Sequence, residues 1–176
     1  MAGAQHARHL VQFFDADDEL VRAVTSFLAA GFEAGHTCVC IATRDHHEKI
    51  SKELAGGGLD TETLAASYCY IPLDAETTLE SFMGDYRPDR ERFHRIVGLL
   101  VAQAASRGAP VRIYGEMVSL LARKGLYQLV LDLEELWNEL TREQDFMLFC
   151  GYPRVALDSQ LVDRISAIHS DVVHAA

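Results

Sequence analysis

The sequence predicts an α/β protein, a three-layer sandwich whose mainly parallel sheet of about five strands lies between two layers of helices. Two observations carry that prediction. Runs such as TCVCIAT and FMLFC are apolar on both faces, as strands buried on both sides must be. Each such run is followed by a longer stretch with helical spacing of its apolar residues, the alternation that builds parallel sheets.

The first strand is read at His9 to Phe14 (HLVQFF), and Leu20, Val24, Phe27, Leu28 and Gly31 then mark one face of a helix. The acidic run DADDE opens that helix, where N-cap and first-turn carboxylates meet the positive end of the dipole. A second strand covers Thr37 to Thr43, and a polar helix from Asp45 to Leu54 ends at Gly56, Gly57 and Gly58. Tyr68 to Ile71 (YCYI) predicts a third strand that stops at Pro72, with Asp74 capping the helix AETTLESFM. Pro88 opens a longer helix burying Phe93, Ile96, Val97, Leu100 and Ala104, and Gly108 and Pro110 close it. A fourth strand, Val111 to Tyr114, precedes helices at Met117 to Arg123 and Tyr127 to Leu140, the latter burying Val130, Leu133, Leu136, Trp137 and Leu140. The fifth strand, Phe146 to Cys150, leads through Gly151 and Pro153 to a last helix carrying Leu161, Ile165, Ile168 and Val172. No linker or internal repeat interrupts this order, so residues 1–176 are expected to form one domain.

Composition narrows the function classes. A formal charge of −10 opposes binding to phosphate backbones, which depends on clustered Lys and Arg, so no nucleic-acid partner is expected. The apolar runs are too short to span a bilayer, and MAGAQHARHL lacks the apolar segment of a signal peptide, so the expected location is cytoplasmic and no membrane partner is expected. Cys38, Cys40, Cys69 and Cys150 sit in apolar strand-like runs without zinc or redox spacing and read as small buried hydrophobes.

In open parallel sheets, ligands bind beyond the carboxyl ends of the strands. That rule selects Phe14, Asp15, Arg44, His46, His47, Asp74, Tyr114, Glu116 and Tyr152 as candidate ligand-binding residues. Arg44 and Glu116 both follow apolar strands directly and are expected at neighbouring strand ends. A phosphate loop after the first strand would need glycines and a lysine, but FFDADDEL has neither. Like charges about 4 Å apart repel by roughly 4 kcal/mol at an effective dielectric of 20, so the carboxylates there disfavour an anion. Asp15, His46, His47, Asp74 and Glu116 contain metal-binding residue types, yet adjacent histidines on a helix point about 100° apart, so no metal site and no cofactor are expected. His6, His9, His94, His169 and His174 form no spaced ligand set, and neither a nucleophile elbow nor a dinucleotide fingerprint is present.

Several segments taken together resemble the MEDS family, a sensory domain named after methanogen and methylotroph proteins and a dichloromethane-responsive regulator. The stretches are HLVQFFDADDEL, GFEAGHTCVCIATRDHHEKI, IPLDAETTLESFM, VRIYGEMVSLLARKG, LDLEELWNEL and FMLFCGYP, in family order from His9 to Pro153. The resemblance implies a RecA-like, circadian-clock-type ATPase fold without its phosphate loop. It also implies a non-catalytic role in sensing a small molecule, such as a hydrocarbon derivative, beside a histidine kinase or transcription regulator. No attached kinase, receiver or DNA-binding segment is expected, so output is expected to pass through a partner or an oligomer such as a homodimer. Two alternatives compete with this reading: a metal-assisted enzyme using Glu116 with His46 and His47, and a ligand-free protein-interaction regulator. The acidic first turn yields a direct expectation. Calorimetry with ATP and magnesium should show no binding, and low-micromolar affinity would refute the loop argument.

Overall fold

A computed structural model describes residues 8–174; His6 and the rest of residues 1–7, most of the amino-terminal stretch read above as free of a signal segment, lie outside that range. Six strands form one all-parallel sheet in the order β3-β2-β4-β5-β1-β6. They are β1 (Arg8–Phe14), β2 (Thr37–Ala42), β3 (Tyr70–Asp74), β4 (Val111–Gly115), β5 (Met147–Pro153) and β6 (Asp171–Val173). Helices cover both faces, which completes the three-layer arrangement expected from the doubly apolar strands.

One face carries α1 (Asp17–Glu33), α2 (Arg44–Gly56) and α3 (Thr61–Ala66). Its core joins Phe14, Leu20, Val24, Leu28, Cys40, Ile50, Leu54, Tyr114 and Phe149. The other face carries α4 (Ala75–Phe82), α5 (Arg90–Phe93), α6 (Leu99–Ala105), α7 (Met117–Arg123), α8 (Tyr127–Glu143) and α9 (Ser159–Ile168). There the core runs through Val11, Phe82, Phe93, Val97, Ile113, Trp137, Leu140, Leu148 and Ile165. Burial pushes the thiols of Cys38 and Cys40 up to about 12, consistent with inert packing residues, whereas Cys69 is only half-buried.

Three expectations are corrected and one helix is added. Pro72 does not stop β3 but lies inside it, opposite Cys40. That is tolerated because β3 is the edge strand and needs no donor from Pro72 on its open side. Asp60, whose side chain accepts from the backbone N–H of Glu62 and Thr63, starts the short helix α3, which weak apolar periodicity concealed. The helix expected from Pro88 begins at Arg90 under the Asp89 cap and passes through a π-helical turn at His94–Gly98. Gln144 donates to the Gly98 carbonyl at 3.1 Å. The extra residue rotates the buried stripe to Phe93, Val97, Val101 and Ala104, leaving Ile96 and Leu100 half-buried. Finally, Val172 belongs not to the last helix but to β6, which pairs with β1 after Ser170 donates its N–H to the His9 carbonyl.

Close approach of α1 to the sheet depends on glycine. A Cβ on Gly151 of β5 would lie 2.5 Å from Leu20 Cδ1. Trp137 is fully buried and meets Phe93 edge-on, with ring centroids 5.2 Å apart. Replacing it with Ala removes a large buried ring from a packed layer, so Trp137→Ala should cost about 3–5 kcal/mol by chemical denaturation.

Candidate functional site

The carboxyl ends of β2 and β4 lie side by side, with Ile41 in register with Gly115. This places Glu116 next to Thr43, and the Glu116 N–H donates to the Ile41 carbonyl at 2.9 Å. Glu116 occupies the N-cap position of α7, but its carboxylate makes no capping bond there. It turns back instead and accepts from the Thr43 N–H at 2.8 Å, from Thr43 Oγ1 at 3.3 Å and from His46 Nδ1 at 2.6 Å. Nε2 of His46 faces Asp17 at 3.8 Å, and Asp17 also pairs with Arg123 at 3.1 Å. Glu116 and His46 are buried, while Asp17 and Arg123 close the network at the surface. The starts of α1 and α2, the end of β4 and the last turn of α7 are thereby tied around one carboxylate. The hydrogen bond to Glu116, reinforced by the charges of Glu116 and Asp17, outweighs burial and raises the His46 pKa above its ordinary value.

A different feature opens beside α1. A groove of about 580 Å³ lies over β1, β5 and β6, with Leu10, Phe27, Phe149 and Val173 as apolar wall and Glu19 and Arg22 among its polar lining. Gln12 also lines it; the residue is buried, and its Oε1 has no hydrogen-bond partner. A second hollow of about 670 Å³, between the 84–91 segment and α8, is lined by charged residues including Arg87, Arg90, Asp132 and Glu135.

The sequence profile of MEDS, the methanogen/methylotroph, DcmR sensory domain, matches residues 8–170. The chain belongs to the MEDS family. No curated protein gives a match. The matched span holds both the Glu116 network and Gln12, so each is part of the MEDS domain proper.

Within this MEDS domain the nine residues selected from sequence do not form one site. Glu116 and His46 are joined directly. Phe14 is buried beneath the Arg123 guanidinium, 6.0 Å from its ring centroid, and exposed Asp15 faces Arg154 at 3.8 Å. Arg44 is exposed at the first turn of α2, and among the described residues the partner of Glu116 is His46 in its place. His47 points away and donates from Nε2 to the Leu73 carbonyl at 2.8 Å, as the angle between adjacent helical residues requires. Asp74 caps α4 by accepting the Thr77 N–H at 2.8 Å. Tyr114 is enclosed in the α1 face with an unpartnered hydroxyl, whereas Tyr152 is enclosed in the opposite face and donates to Glu134. Neither groove is lined by any of the nine. Asp17 and Arg123 were not selected, although first-turn acidity at Asp17 was visible; Gln12 carried no signal beyond being a polar residue inside an apolar strand.

His46 gives the network a pH signature. Its folded pKa is raised, so its contribution to stability is complete below the unfolded value of about 6.5 and is lost as pH rises through the folded value. The stability difference between the native chain and Glu116→Gln should therefore shrink as pH rises through that window. An NMR titration of His46 should place its midpoint above that of an unstructured histidine, and Glu116→Gln should bring it down.

Proposed function

We propose that this MEDS domain senses a small, largely apolar molecule bearing a hydrogen-bond donor, and that it does so without catalysis. The Gln12 groove is the observation that supports this reading. Its volume lies within the roughly 300–1,000 Å³ of small-molecule sites, and its walls are apolar with few polar groups. An unpartnered buried acceptor costs about 1–3 kcal/mol, which a donor on the ligand would recover. Helix α1 links this groove to the strand-end network, because it bears Arg22 and Phe27 at the groove and Asp17 at the network. A ligand that shifts α1 would load the Asp17 contacts with His46 and Arg123 and so alter the surface offered to a histidine kinase, a transcription regulator or a second copy of the chain.

The competing reading, a metal-assisted enzyme, asks Glu116, His46 and His47 to share an ion. The His47 ring is committed to Leu73, and the Glu116 carboxylate is engaged by Thr43 and His46. These commitments favour a structural latch over a reaction centre.

Short-chain alcohols and amines, compared with hydrocarbons of the same size, provide the probes. The donors should shift the amide resonances of Phe27 and Phe149 and raise the melting temperature, and the hydrocarbons should do so less. Gln12→Leu should abolish that preference while leaving stability unchanged or higher, since it removes an unsatisfied buried amide. Donor preference that survives Gln12→Leu would refute this assignment of the pocket.

A further inference from the structure

On the sheet face opposite the groove, four residues from distant parts of the chain converge. His9 comes from β1, Cys150 from β5, Glu134 from α8, and His169 from the residue that ends α9. All four are buried, and one ligand atom from each lies within 4.8 Å of every other. Nε2 of His9 is 3.2 Å from Glu134 Oε2 and 3.4 Å from Cys150 Sγ, and Nε2 of His169 is 3.4 Å from Glu134 Oε1.

The outer hydrogen bonds decide how the rings present themselves. Asn138 donates its side-chain amide to the Ile168 carbonyl at 3.1 Å, which fixes its Oδ1 toward Nδ1 of His9 at 2.9 Å. Nδ1 of His169 donates to the Ile165 carbonyl at 2.7 Å. In its neutral form each ring spends its single N–H on Nδ1 and aims the Nε2 lone pair inward, at a carboxylate and a thiol. Lone pairs facing a carboxylate repel unless a proton or a metal cation lies between them. Neither Glu134 Oε2 nor His169 Nε2 has a hydrogen-bond partner, although both are buried. Outward Nδ1–H donation with Nε2 left free is the usual arrangement around metal-bound histidines, and Tyr152, donating to Glu134, supplies a corresponding anchor for the carboxylate.

We propose that His9, Glu134, Cys150 and His169 form a closed four-ligand site for a divalent first-row transition ion, with zinc the best fit. Zinc bonds of about 2.0–2.3 Å in a tetrahedron imply ligand–ligand edges of roughly 3.3–3.8 Å. The His9–Cys150 separation of 3.4 Å already matches, and His9 and His169 each approach one of the two Glu134 oxygens, at 3.2 and 3.4 Å. The remaining edges, all within 4.8 Å, contract by up to about 1 Å. Two imidazoles, a thiolate and a carboxylate are borderline ligands suited to that ion. On binding, the Cys150 thiol releases its proton and sulfur takes the ion, so that the +2 charge is balanced by one thiolate and one carboxylate. The buried site is then neutral, as an interior of low dielectric favours. With four protein ligands and no open position, the ion would hold structure, fastening α8 and the end of α9 to β1 and β5.

The full chain, stripped with chelator, is titrated with Co²⁺ and separately with Zn²⁺. One equivalent of Co²⁺ should produce the intense d–d bands of a tetrahedral site together with a thiolate-to-cobalt charge-transfer band, and one equivalent of Zn²⁺ should displace it and raise the melting temperature. Cys150→Ser should remove the charge-transfer band, and Asn138→Ala, outside the ligand set, should weaken binding by about 10–100-fold. His94→Ala, at the surface pair with Glu139 and Glu143, should change neither stoichiometry nor spectrum. The native chain's cobalt spectrum is informative even if a ligand variant fails to fold. Absence of stoichiometric binding at micromolar metal, a spectrum without sulfur character, or binding that persists in folded His9→Gln or His169→Gln would overturn the proposal.

Discussion

A parallel sheet with helices on both sides has no face that can turn a polar side chain to water, and this constraint organises the rest of the protein. Every polar group carried into the two interior layers must find a partner within the fold or remain costly. Two carboxylates are buried in this way, Glu116 at the strand ends and Glu134 beneath β1 and β5. Each is surrounded by several elements of the fold. Around Glu116 the partners are Thr43 and His46; Glu134 accepts from Tyr152, and the rings of His9 and His169 lie 3.2 and 3.4 Å from its oxygens.

The strand ends show how an edge that commonly holds ligands can be closed from within. Carboxylates crowd the first turn of α1, but Arg123 and Arg154 reach Asp17 and Asp15 from α7 and from the segment after β5. The same two arginines lie over Phe14 and Phe13, so each guanidinium covers an apolar ring and pairs with one carboxylate of the acidic turn. Asp15 and Asp17 at this edge are thus paired locally. Concavity with apolar walls is found beside α1 instead.

Strand β1 connects the two regions of greatest interest through the period of two along a strand. Leu10 and Gln12 point to the α1 face, where they line the groove, while His9 and Val11 point to the opposite face. The segment after α9 does the same, since His169 joins the buried cluster and Val173, paired with β1 in β6, lines the groove. Order in one short carboxyl-terminal segment is therefore shared by both faces of the sheet.

The periodic features were legible in the chain: doubly apolar strands, the stripe on α8 with Trp137 at its centre, the Asp74 cap and the meeting of Glu116 with the start of α2. They depend on neighbours in sequence or on the rule that parallel strands end at one edge. What escaped depended on position in the sheet or on distant contact. Pro72 reads as a stop unless β3 is known to be an edge; β6 is too short to show a pattern; and the π turn, whose Gly98 carbonyl accepts from Gln144, has no local signature. His9 and His169 lie 160 residues apart with no shared motif. Local sequence determined which segments are strands and helices and which side of each is apolar, because those properties follow from backbone period and side-chain type. Only the tertiary structure decided that Glu116 binds His46 in preference to Arg44, that Tyr114 and Tyr152 face opposite layers, and that two histidines, a cysteine and a glutamate share one buried volume, because strand order and helix docking bring together residues that no local spacing relates.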